Sequence, residues 1–124
     1  ILIGIDPGRL CGYIIMGDGI VINSGKIDCN KIGNVIKEEL NKIPYKSKEV
    51  ILGTGEGWTT AGVSLINNGL PYKMIREDEV AKFMPKTPIF KIFKDKDVRS
   101  AMAIALRGWR TKTKRRKLKR FAFC

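Results

Sequence analysis

The residue in this sequence best placed for chemistry is Asp6. It follows a mostly aliphatic run over residues 1–5 and precedes Pro7 and Gly8. An aliphatic run closed by Pro-Gly predicts a short buried strand that ends in a turn. A rigid strand can hold a carboxylate at its end in a fixed position, which suits a charged group facing a cleft. The alternative is an aspartate that only stabilises its own turn, and the residues alone leave both interpretations open.

The remaining composition limits the chemistry. The sequence contains no histidine, and its three cysteines, Cys11, Cys29 and Cys124, lack the spacing of a metal site. Ser-His and Cys-His catalysis are therefore excluded, and a zinc site is disfavoured. Because no export signal is visible, we expect reduced thiols in a cytosol. No apolar run approaches the length of a membrane span, so no membrane partner is expected.

The chain length fits one domain, whose predicted elements follow the order βββαβαβα. Three strands open the chain, and Gly17-Asp18-Gly19 predicts a hairpin turn between the second and the third. We expect the fourth strand to pair with the first at the centre of the sheet. The next predicted elements are a helix that is capped by Asp28 or Asn30 and ends before Pro44, and a strand that runs from Glu49 through 53–55 to Glu56. They are followed by a helix that begins at Thr59 and Thr60 and is stopped by Asn68-Gly69, a short strand over 70–75, a helical turn or two over 77–84 and a helix over 97–107.

The opening strands also carry a family resemblance. Gly4-Ile5-Asp6-Pro7-Gly8, followed by Cys11-Gly12-Tyr13-Ile14-Ile15, resembles the start of RuvC-type Holliday junction resolvases, in particular the smaller phage and viral ones. The resemblance implies an α/β domain with an RNase H-like fold, in which helices flank a mixed five-stranded sheet. It also implies that Asp6 is the first metal-binding catalytic acid. Actin-like ATPases begin with a similar motif, but this chain is too short for the paired lobes that close around ATP.

The resemblance assigns a second acid, Glu56. In the family a glutamate closes the fourth strand, and here Val50-Ile51-Leu52 leads towards Glu56-Gly57-Trp58. The sequence departs from the family pattern at 53–55, Gly-Thr-Gly, where bulky residues are expected. Because glycine weakens a central strand or marks a bulge, a glutamate on a surface loop is the alternative.

Asp97 is the candidate third acid. It matches the first acid of a D-x-x-D-A pattern in the family's final helix, while Ser100 stands where the second acid should be. Helical spacing places Asp97, Ala101 and Ile104 on one face, which would turn the aspartate towards the buried side. Two alternatives remain: the segment is an earlier one that organises junction DNA, or Asp97 is only a helix N-cap.

Carboxylates on adjacent strands suit phosphodiester hydrolysis without histidine, because two divalent ions can activate water and stabilise the leaving oxygen. Magnesium prefers such hard oxygen ligands, and manganese can substitute. The resemblance thus implies a magnesium-dependent crossover junction endodeoxyribonuclease for DNA recombination, with Asp6, Glu56 and Asp97 as metal-binding catalytic residues. It further implies a homodimer, encoded by a phage or virus and acting in the host cytoplasm. The alternative is a degenerate relative that binds nucleic acid without cleaving it.

The charge distribution favours a polyanionic partner. The net charge is +12, and residues 107–124 contain nine basic residues and no acidic one, which leaves +3 for residues 1–106. We therefore predict a nuclease domain over 1–106 and a basic C-terminal tail over 107–124 that binds DNA phosphates. A merely solubilising tail is the alternative. The predicted DNA-binding residues are Lys82, Lys86, Lys91, Lys94, Arg107, Arg110, Lys114, Arg115, Arg116 and Lys117.

Overall fold

The computed structural model describes the backbone of residues 1–76 and 95–123, and the side chains of 1–76 and 95–109. The predicted helical turn over 77–84 lies outside this part. The described elements are β1 (Leu2–Asp6), β2 (Cys11–Gly17), β3 (Ile20–Ile27), a short 3-10 helix (Cys29–Lys31), α1 (Ile32–Asn41), β4 (Glu49–Gly53), α2 (Trp58–Asn67), β5 (Lys73–Ile75) and α3 (Lys96–Phe123).

The predicted hairpin between β2 and β3 is confirmed. Asp18 and Gly19 form its two-residue turn, both with positive φ, at 51° and 78°. Gly17 pairs with Ile20 directly before the turn. This is the backbone geometry that matches the natural twist of two antiparallel strands.

The strands form one mixed sheet in the order β3-β2-β1-β4-β5. The meander β1-β2-β3 is antiparallel, whereas β4 runs parallel to both β1 and β5. The first and fourth strands therefore lie together at the centre, as the sequence predicted. Because they are parallel, the segments that follow Asp6 and Gly53 leave the same edge of the sheet.

Each face of the sheet carries its own hydrophobic core. On one face, Ile3 and Ile5 pack with residues of α1 and α2, such as Ile36 and Leu65. On the other face, residues of β2, β4 and β5 pack against α3, which buries Ala101 through Ala105. The central strand is thus covered on both sides, which explains why its sequence is almost continuously apolar.

Helix α3 lies unusually close to the sheet because two glycines leave room for its backbone. A Cβ atom added at Gly4 would overlap the carbonyl oxygen of Ala101. At Gly12 an added Cβ would lie 2.5 Å from the carbonyl oxygen of Asp97. The first turns of α3 therefore rest directly on β1 and β2, a contact that only glycine permits at these positions.

Among the predicted boundaries that differ from the structure, two bear on the candidate site. The prediction that the fourth strand continues to Glu56 is wrong: β4 ends at Gly53, and the chain turns before α2 begins at Trp58. Gly57, with a φ of 86°, provides the left-handed residue at this turn. The last helix is longer than predicted, since α3 continues past residue 107 to Phe123.

The proposed division at residue 106 falls inside α3, whose backbone is helical on both sides of it. The division into a nuclease domain and a basic tail stays a prediction. Among the described residues, no helix has both the length and the apolar character needed to cross a bilayer.

Candidate active site

Asp6 is the last residue of β1 and lies at the edge of the sheet where β1 and β4 end. It pairs with Gly12 of β2. Side chains alternate along a strand, so Asp6 shares a face with Gly4, which contacts α3. The half-buried carboxylate therefore starts on the α3 side of the sheet, held by a strand that is paired on both sides.

Asp97 lies next to this position, in the first turn of α3. Its backbone rests on Gly12, the β2 neighbour of Asp6. Ala101 and Ile104 are buried on the sheet side of the helix as predicted, whereas the Asp97 side chain stays 42% exposed and reaches Lys26 of β3. The fold thus brings the candidate acids from residues 6 and 97 to one end of one sheet face.

Asp95, which the sequence did not single out, is the residue that caps α3. Its Oδ1 accepts a hydrogen bond of 2.8 Å from the backbone N–H of Asp97. A side-chain oxygen that satisfies a free N–H in the first turn is the usual N-cap arrangement. The cap role considered for Asp97 is therefore filled by Asp95, which leaves the Asp97 carboxylate for other contacts.

Lys26 of β3 is the second residue that sequence reasoning missed. Its ammonium lies 3.0 Å from Oδ2 of Asp95 and 3.1 Å from Oδ2 of Asp97. Hydrogen bonding to Lys26 is the main cause that lowers the pKa of Asp95. The hydrogen bonds to the two carboxylates, that to Asp95 first, raise the pKa of Lys26. Lys26 reaches them because it pairs with Gly12, which has no side chain in the way.

Glu56 lies in the turn between β4 and α2 and is exposed. The next residue, Gly57, is packed against the turn that follows Asp6: a Cβ added there would lie 3.0 Å from the carbonyl oxygen of Gly8. Glu56 therefore belongs to the same edge of the sheet as Asp6. Among the described side chains of residues 1–76 and 95–109, however, no group of three or more acidic, cysteine or histidine residues is arranged to hold a metal ion.

The carboxylates of Asp6, Asp97 and Glu56 at this edge are the hard oxygen ligands that a divalent cation such as Mg²⁺ prefers. The ammonium held by Asp95 and Asp97 shows that two of these carboxylates converge on a single positive charge. The roles of Asp6 and Asp97 as metal ligands stay predictions. The role of Glu56 as a further ligand stays a prediction.

Most of the predicted DNA-binding residues lie outside the described side chains. Lys82, Lys86, Lys91 and Lys94 fall in the segment that the structure does not describe. Arg107 is half-buried on α3. Arg110 and the basic cluster Lys114, Arg115, Arg116 and Lys117 follow on the same helix, where the structure describes the backbone alone.

The sheet order and the flanking helices define the class: an α/β domain with an RNase H-like fold. No protein-family model matches the chain, and no curated protein matches it either. Among solved structures, T. thermophilus RuvC in complex with a Holliday junction substrate is similar, with a TM-score of 0.59 and 14% sequence identity. The match covers 86% of this chain and 92% of that one. The predicted RuvC-like fold is confirmed, whereas a phage or viral origin stays a prediction.

Proposed function

We propose that the chain is a structure-selective endonuclease of RuvC type, which hydrolyses phosphodiesters in branched DNA such as Holliday junctions. The observation that supports this proposal is that Gly12 pairs with Asp6 and also contacts the backbone of Asp97. The first turn of α3 is seated on Gly12, so acids from the two ends of a RuvC-like fold share one corner of the sheet. Such a corner is where a divalent ion and a phosphodiester would meet.

The chain's own contribution is to fix the backbone positions that carry these carboxylates before any ligand binds. Asp6 is held by a central strand, and Asp97 by a capped helix start pressed onto glycine. Preorganised ligands of this kind reduce the entropy lost when a substrate binds. A magnesium or manganese ion bound by Asp6 and Asp97, with Glu56 as the further predicted ligand, would activate water and neutralise the leaving oxygen.

DNA binding is supported by the charge of α3. Nine basic residues lie in 107–124, on the part of the helix that leads away from the site. The helix has 28 residues, and at 1.5 Å per residue it spans about 42 Å. Its start lies at the acids, so a DNA backbone that follows the helix would pass the candidate site. Charge neutralisation along such a path would supply affinity through counterion release.

The homodimer implied by the resemblance has a candidate surface on α2. Trp58, Val63 and Ile66 are exposed there, the last two to more than half of their maximum. Large apolar side chains grouped on one helix are typical of interaction sites. Because two-fold contacts use the same patch twice, Ile66→Lys would place two like charges together and should yield a monomer in light scattering coupled to size-exclusion chromatography. An unchanged oligomeric state would exclude α2 as the interface.

The test of the nuclease proposal compares wild type with Asp6→Asn and Asp97→Ala on a four-way junction, in magnesium and in manganese. Both variants should lose cleavage and keep junction binding, because removing a metal ligand affects chemistry more than docking. Asp18→Asn is the matched control. Asp18 lies in the hairpin turn at the opposite edge of the sheet, where asparagine tolerates its positive φ. Undiminished cutting by Asp6→Asn would refute the proposal.

A second candidate is a RuvC-like protein that binds branched DNA without cleaving it. It is favoured by the lack of a three-acid group among the described residues, together with Ser100 in place of the family's second acid. It predicts a wild type that binds junctions but leaves them intact in both metals.

A further inference from the structure

The inference concerns Lys26 and rests on the proposed function of the same site. Lys26 belongs to β3, two strands away from Asp6, yet Gly12 pairs with both residues. At the spacing of antiparallel neighbours, the Cα atoms of Lys26 and Asp6 are about 10 Å apart. The lysine side chain reaches back over Gly12 towards the start of α3. It therefore enters the candidate site from the side, across a strand that presents no side chain there.

The Lys26 ammonium is shared between two carboxylates that make different further contacts. Asp95 uses one oxygen to cap α3 and the other to hold Lys26. Asp97 holds Lys26 through Oδ2, one of the two oxygens with which it could bind a metal. Lysine and a divalent ion would thus compete for Asp97, while Asp95 would keep the ammonium nearby after the exchange.

We propose that Lys26 is a positioning residue that occupies the Asp97 carboxylate in the metal-free protein and yields it when a divalent ion binds. In the metal-free protein, Lys26 keeps Asp97 turned towards β3 and offsets repulsion between the acids. When the ion arrives, the ammonium retains Asp95 as its partner. Lys26 thereby sets the metal concentration at which the site fills.

The expected effect is moderate, because all three side chains are partly exposed: 36% for Lys26, 38% for Asp95 and 42% for Asp97. Exposed ion pairs contribute little each, and losing the competitor should tighten metal binding roughly two- to fivefold. Removing any positive charge near a metal site also strengthens metal binding, because it reduces the long-range electrostatic repulsion of the cation. The control must therefore remove a positive charge from a lysine beside Asp97 without removing the contact.

Lys96 provides that control. It directly precedes Asp97 in the chain and is exposed. We would titrate the full chain with Mn²⁺, following free Mn²⁺ by electron paramagnetic resonance, for wild type, Lys26→Met, Lys26→Arg and Lys96→Met. Lys26→Met should bind clearly tighter than Lys96→Met, whereas Lys26→Arg, which keeps both charge and pairing, should resemble wild type.

Each outcome decides the matter. Equal affinities for Lys26→Met and Lys96→Met would show that only the long-range repulsion acts, and would overturn the role of Lys26 while leaving the nuclease proposal intact. Affinity that falls in Lys26→Met would also overturn it. If neither wild type nor Lys26→Met binds Mn²⁺, the inference on Lys26 fails. Junction cleavage by wild type in magnesium would then keep the nuclease proposal, whereas its absence would overturn both.

Discussion

The contact between Gly12 and Asp97 gives the sharpest test of how the fold builds its candidate site. In Gly12→Ala the new methyl group would lie 2.5 Å from the carbonyl oxygen of Asp97 and 2.9 Å from its Cβ. Ordinary separations between such atoms are about 3.5 Å. The start of α3 must therefore move away from β2 by about 1 Å. Forcing an extra methyl group into a packed contact costs about 1–3 kcal/mol.

The same displacement should affect activity beyond its effect on stability. Asp97 would move relative to Asp6, and a misplacement of about 1 Å can lower a rate by roughly 10²-fold. Urea denaturation should give a lower midpoint with an unchanged slope, which reports a loss of stability without a change in compactness. Junction cleavage should then be measured under conditions where the variant is fully folded.

Ile36→Val is the matched control for that experiment. Ile36 is fully buried, but it belongs to the core on the opposite face of the sheet. Its truncation should cost about 0.5–1.5 kcal/mol and leave cleavage unchanged. Equal loss of cleavage in both variants would trace the effect to general destabilisation. A Gly12→Ala protein as stable and as active as wild type would refute the packing argument altogether.

Three further predictions concern single groups. Burial and the neighbouring thiol of Cys29 raise the pKa of Cys11 far above its ordinary value. Peptide mapping after iodoacetamide treatment of the folded chain should therefore find Cys29 modified well before Cys11. Equal labelling of the two cysteines would contradict this. Lys26 lowers the pKa of Asp95 below its ordinary value of 3.8. The ionised carboxylate therefore stabilises the fold fully at pH values above 3.8, and this stabilisation is lost as the pH falls through the lowered pKa. The stability difference between wild type and Asp95→Asn should therefore be constant near neutral pH and disappear in acid, and a difference that persists in acid would exclude the ion pair as its source. The four basic residues at 114–117 can be replaced with glutamine. The slope of log K against log salt for DNA binding should then fall by up to about 0.9 for each DNA phosphate that is no longer neutralised. An unchanged slope would show that these four residues do not bind DNA.

The parts of the fold that the sequence predicted are those governed by local patterns. The hairpin at Asp18 and Gly19 follows from turn chemistry, and the buried strands follow from runs of isoleucine and valine. The position of Asp6 could be predicted for the same reason, since Pro7 and Gly8 end the strand directly after it. The family resemblance then supplied the fold class, an RNase H-like mixed sheet, which no local pattern contains.

The parts that could not be predicted depend on contacts between distant segments. Nothing around Lys26 indicates that it faces Asp95, because the pairing arises only when α3 is seated on Gly12. The end of β4 was missed for a similar reason. Gly53 is packed against Ile104 of α3, and the chain turns immediately after it, so Glu56 lies beyond the strand.

The packing of α3 on β1 also has a consequence for folding during synthesis on the ribosome. Asp6 and Asp97 are separated by 91 positions in the chain, so at ribosomal speeds of about 5–20 residues per second the second acid is synthesised roughly 5–18 s after the first. During that interval the nascent chain can fold its meander, but the glycines of β1 and β2 have no helix to cover them. The candidate site therefore forms only after the start of α3 has been synthesised, and a nascent chain that stops before Asp97 lacks one of its two acids.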